Sequence, residues 1–154
     1  MQDSVTVRMT APAERIWELV SDIRNTGKFS PETFEAEWLG GATGPAVGVK
    51  FRGHVNRNGW GLKYWTVCRI VACDPGREFA FTVLGPGNTP VNTWTYRFTP
   101  VDGGTDVTES FRLEQSFPLR IYSLIAGRSR TRTNVNGMRE TLERIKAVAE
   151  QPAP

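Results

Sequence analysis

The chain opens with strict alternation: between Ser4 and Thr10, Val5, Val7 and Met9 fall on one side of an extended segment, the pattern of a strand with one buried face. The period then changes to that of a helix. Pro12 suits a first helical position, Glu14 and Glu18 lie toward the positive end of the helix dipole, and Ile16, Trp17, Leu19, Val20 and Ile23 form an apolar stripe, with the helix ending near Asp22. Asn25, Thr26, Gly27, Ser30 and Pro31 break the pattern and leave room for one more helical turn around Lys28 and Phe29.

From Thr33 to Gln115 the pattern is strand and turn in regular succession, as in an antiparallel meander. Strands are expected at about Thr33 to Leu39, Val49 to Val55, Leu62 to Ala72, Glu78 to Leu84, Val91 to Thr99 and Thr105 to Gln115. Turn residues mark the joints: Gly40 to Gly48, Asn56 to Gly59, Asp74-Pro75-Gly76, the longer Gly85 to Pro90 loop and Asp102-Gly103-Gly104. The 85–90 loop, rich in glycine and proline, is expected to act as a lid. The chain then returns to helical periodicity from Pro118 to about Ala149, a helix of ~45 Å at ~1.5 Å per residue, which must lie across something broad. Leu124, Val135, Met138, Leu142 and Ile145 share one sector of it, and Gly127, Thr131 and Asn134 interrupt that sector with small and polar residues that cannot fill a core. The interruption is read as room for a ligand.

With 154 residues, 39% hydrophobic and 23% charged, the chain reads as one domain over residues 1–150 with a loose tail at 151–154. No apolar run approaches the roughly 18 residues of a membrane span, and no secretory signal pattern opens the chain, so a cytoplasmic location is expected. Cys68 and Cys73, five apart on one strand, should face opposite sides as unbridged thiols. The net charge of +3 gathers in the last helix (Arg120, Arg128, Arg130, Arg132, Arg139, Arg144 and Lys146). Its arginines spread around the helix, and no nucleic-acid motif accompanies them, so a solvated surface is the better reading and no nucleic-acid partner is expected. The single histidine, His54, is expected to face solvent. No metal-ligand spacing and no strand-to-helix phosphate loop occurs, so neither metal nor cofactor is expected.

A strand, two short helices, six strands and a long final helix is the order of the helix-grip fold. Val7 to Trp17 (VRMTAPAERIW), Trp65-Thr66-Val67 through Asp74-Pro75-Gly76 to Phe79-Ala80-Phe81, and Trp94 to Phe98 followed by Gly104-Thr105 and Val107 to Phe111 (VTESF) carry a resemblance. On these residues the chain resembles the START-like (SRPBCC) superfamily, in particular its bacterial polyketide cyclase/dehydrase-like branch. The resemblance implies an α+β domain in which a curved seven-stranded antiparallel sheet wraps a long C-terminal helix, with an apolar cavity between them.

Alternation places Trp94, Tyr96 and Phe98 on one face, and likewise Phe79, Phe81 and Val83, so several rings should point toward the helix. In the last strand Glu109 shares a face with Val107, Phe111 and Leu113, a carboxylate among apolar neighbours that must either hold a proton or find a cation, with Arg128 and Arg69 as candidates. Trp65, Phe79, Phe81, Trp94, Tyr96, Phe98, Glu109, Phe111, Gly127, Arg128, Thr131, Asn134 and Val135 form the candidate ligand-lining set. The expected function is binding of a small hydrophobic molecule, a lipid, polyketide or aromatic metabolite, by a monomer or homodimer. The alternative is a cofactor-free cyclase or dehydrase in the same cavity, with Glu109 and Tyr96 as the catalytic pair.

Overall fold

A computed structural model describes residues 2–56, 62–114 and 134–152. Seven strands form one antiparallel sheet: β1 (Gln2–Met9), β2 (Thr33–Trp38), β3 (Lys50–Val55), β4 (Tyr64–Asp74), β5 (Glu78–Leu84), β6 (Pro90–Val101) and β7 (Gly104–Leu113). Their order across the sheet is β1-β7-β6-β5-β4-β3-β2, so β2 to β7 form a meander and β1 returns beside the last strand. Two short helices, α1 (Ala13–Ser21) and α2 (Thr26–Phe29), connect β1 to β2. A third, α3, spans 134–149 among the described residues. This is the expected α+β helix-grip architecture, with the curved sheet against the C-terminal helix. The part of the long helix expected before Asn134 and the turn at Asn58 and Gly59 lie outside the described residues.

The core lies where α1 and α3 cover one end of the sheet. Met138, Leu142, Ile145 and Ala149 recur at helical spacing along α3, and all are buried. Met9, Ile16, Ile70 and Val107 meet them as fully buried side chains. Polar bonds fix the helices in place. The Trp17 indole N–H donates to the Glu78 carbonyl at 2.9 Å, and the Thr105 hydroxyl to the Ala11 carbonyl at 2.8 Å. At the C-terminal end of α3, the Thr10 N–H donates to Glu150 Oε2 at 2.8 Å and Arg15 to the Gln151 carbonyl at 2.8 Å. Gly104 is required by close approach: a Cβ there would stand 2.1 Å from the Met9 carbonyl oxygen.

One irregularity overturns a sequence expectation. β4 carries a bulge between Ile70 and Ala72, with Val71 as its extra residue, so the alternation resets along the strand. Cys68 lies opposite Val83 and Cys73 opposite Phe79, and both therefore face the inner side of the sheet rather than opposite sides. Both are free thiols, and burial pushes the Cys68 thiol up to about 12.

Candidate functional site

The inner face of the sheet holds a cavity of about 290 Å³, at the small end of the range for ligand pockets. Its walls come from every layer. Val20, Ile23 and Phe29 close one side from the α1–α2 region; Phe51, Cys68, Phe79, Phe81 and Val83 supply the apolar wall; Asn134, Gly137, Met138, Thr141 and Ile145 line it from α3. Asn134 and Ile145 are eleven residues apart on one helix, so the cavity extends for about 16 Å along the helix axis.

At its polar centre lie Glu109 and Tyr96, paired across β7 and β6. The Tyr96 hydroxyl donates to Glu109 Oε1 at 2.8 Å, and Glu109 Oε2 is buried with no hydrogen-bond partner among the described residues. Glu109 is 3% exposed. Burial pushes its carboxyl from 4.5 up to about 8, and the Tyr96 hydrogen bond opposes that only in part. Burial first, and then the charge and hydrogen bonding of Glu109, hold the Tyr96 phenol well above 10. Burial thus favours the protonated carboxyl of Glu109 toward neutral pH. Because Oε1 accepts from Tyr96, the acid proton belongs on Oε2, the atom without a partner. Two further buried atoms on the cavity wall lack partners among the described residues: Asn92 Oδ1 on β6 and Asn134 Nδ2 on α3. A buried amide or carboxyl without a partner costs about 1–3 kcal/mol, so this distribution of unmet bonds is uneconomical unless something else supplies them.

A family model described as polyketide cyclase / dehydrase and lipid transport matches residues 2–150. The chain belongs to this family. Among solved structures, the polyketide-cyclase-like protein Cgl2372 from Corynebacterium glutamicum is similar at 26% identity and TM-score 0.66, covering 97% of this chain and 91% of that one. Protein MLL2253 from Mesorhizobium loti matches at 15% identity and TM-score 0.70 over the full length of both chains. The di-domain ARO/CYC protein BexL, of the BE-7585A biosynthetic pathway, matches at 20% identity and TM-score 0.74, over 99% of this chain and 51% of that one. The last two likenesses establish the fold only. No protein with a curated description matches the chain in sequence.

Within this polyketide cyclase/dehydrase fold, the residues singled out from sequence fall into four groups. Phe79, Phe81, Trp94, Tyr96, Glu109 and Asn134 line the cavity. Phe98, Phe111 and Val135 do not; they pack in or against the core behind it, Phe111 meeting the Trp94 ring at 4.8 Å between centroids. Gly127, Arg128 and Thr131 lie outside the described residues. Trp65 is a correction. It pairs with His54 on the outer face and is 40% exposed, while its neighbours Tyr64 and Thr66 line the cavity. Alternation separates residues 64 and 66 from 65, but an aromatic residue on each side gives no sign of which set faces inward.

Other expectations change as well. His54 faces outward but is not simply solvated: it stacks on Trp65 with centroids 4.1 Å apart, and its Nδ1 lies 2.7 Å from Glu35 Oε1. Arg69 pairs with Thr82 on the outer side of the sheet, so it is no counterion for Glu109, and none is found among the described residues. No residue of the 85–90 loop lines the cavity, and the segment closes on itself through the Gly85 N–H to the Thr89 carbonyl at 2.7 Å. Asn92, Cys68 and Gly137 were missed. Asn92 could have been found from alternation alone, since it shares its parity with Trp94 and Tyr96.

Proposed function

We propose that this chain encloses a small hydrophobic molecule, of lipid, polyketide or aromatic class, between the sheet and α3. The observation that carries the reading is the cavity itself: a mostly apolar wall surrounding three buried polar atoms that have no partner among the described residues. Family membership and the fold of its relatives support it. Native mass spectrometry of the protein as purified, followed by solvent extraction, is the direct test. A discrete added mass that extraction removes is expected. A protein that is empty and also fails to bind an uncharged apolar fluorescent probe overturns the reading.

A second reading, cyclase or dehydrase chemistry in the same cavity, is favoured by one feature. Glu109 Oε2 is the carboxyl oxygen that Tyr96 does not occupy, and burial raises the carboxyl to about 8, close to neutrality, where it can both give and take a proton. Glu109 would protonate a ligand carbonyl or accept an enolising proton, while Tyr96 holds the opposite oxygen in place. Glu109→Gln then keeps ligand affinity and abolishes turnover. If the variant changes only affinity or stability, the protein is a binder.

A further inference from the structure

The three unpartnered atoms are not clustered. Glu109 sits opposite Tyr96, whereas Asn92 lies four residues from Tyr96 on β6, about 13 Å along the strand, with Trp94 between them on the same inner face. Asn134 enters the cavity from a different wall, on α3 one turn from Gly137, which stands by Pro31 at the entry to β2.

The cavity thus has a polar group at each of two levels and aromatic walls between them. Asn134 is 6% exposed and Glu109 3%, so water reaches neither freely. We infer that the ligand is an uncharged, elongated apolar molecule with a hydrogen-bonding hydroxyl or carbonyl at each end, one met by Glu109 and Tyr96 and the other by Asn92. This rests on the cavity being a ligand site, and it adds the ligand's length and polarity. A free carboxylate is disfavoured. At the Glu109 level it would bring two carboxyl groups together in a low-dielectric site, and no lysine, arginine or histidine lines the cavity among the described residues. Neutral-pH protonation of Glu109 makes that end a donor suited to a neutral oxygen.

Hydrophobic transfer and this inference make opposite predictions for a simple pair of probes. Octan-1-ol is more apolar than octane-1,8-diol and should win wherever burial alone decides affinity. In a displacement assay with the uncharged fluorophore N-phenyl-1-naphthylamine, the diol is expected to displace at a concentration at least threefold lower than octan-1-ol, with octanoate the weakest of the three. Asn92→Leu is expected to remove the diol's advantage and leave octan-1-ol unchanged. If the fluorophore binds and octan-1-ol displaces it as well as or better than the diol, the two-ended ligand is wrong while the cavity remains a binding site. If the fluorophore does not bind at all, both ideas fall together.

Discussion

The two faces of this sheet handle polar groups in opposite ways. On the outer face polar side chains find one another. Arg8 bonds Asp106 at 2.9 Å, Thr82, Thr93 and Glu114 form a chain at 2.8 Å per link, Arg52 pairs with Glu37 and lies over the Trp65 ring, and His54 sits between Phe34 and Trp65 with Glu35 at hand. On the inner face polar groups are fewer, yet among the described residues Glu109 and Asn92, and Asn134 facing them from α3, each retain an unmet buried atom. Asp3 Oδ2, Trp38 Nε1 and Asn56 Oδ1 are also buried without a partner among the described residues but lie off the cavity, so what sets Glu109, Asn92 and Asn134 apart is that a cavity occupant can supply what they lack.

The largest effect that would break this contrast is the pH dependence of stability from Glu109. An unfolded chain loses this proton near 4.5 and the folded chain holds it up to about 8, so the folded state binds more protons in that window. Stability is therefore highest below the window, falls as pH rises through it and levels off above. The total fall is on the order of 5 kcal/mol. Urea denaturation of Glu109→Gln at pH 5, 7 and 9 is expected to show a much flatter profile and a variant more stable than the parent at pH 9. Equal slopes in the two proteins would mean that Glu109 is not held neutral by burial.

A smaller effect separates the packed end of the inner face from the cavity end. Leu142 is fully buried in the core cluster, so Leu142→Ala should cost about 2–5 kcal/mol in equilibrium unfolding. Phe81, with one side on the cavity, should lose less on conversion to Leu and should weaken fluorophore binding; the reverse order would place the void elsewhere. Smallest is the outer face. Trp65→Ala removes a partly exposed ring from His54 and Arg52, and is expected to change stability by about 1 kcal/mol or less and leave fluorophore affinity untouched. A loss of binding in that variant would put Trp65 back at the site.

The architecture was legible because each level of the sequence pointed the same way. Turn signals such as Asp74-Pro75-Gly76 and Asp102-Gly103-Gly104 separate alternating segments, and Gly76 and Gly103 adopt the positive φ of 74° and 78° that suits glycine. Glu109 was legible as an inward carboxylate because the residues alternating with it, Val107 and Phe111, are large and apolar. β4 was harder to read. Aromatic and polar residues occur on both of its faces at Tyr64, Trp65 and Thr66, and a bulge at Val71 resets the parity that Cys68 and Cys73 were expected to follow.

By itself the sequence determined the succession of strands, the helical period at both ends of the sheet and the alternation within each regular strand, because these depend on neighbours a few residues apart. Only the tertiary structure decided which face of β4 meets the cavity and that Tyr96 is the group opposite Glu109. Those facts depend on register and on how a curved sheet meets α3, contacts between residues tens of positions apart that a local pattern does not encode.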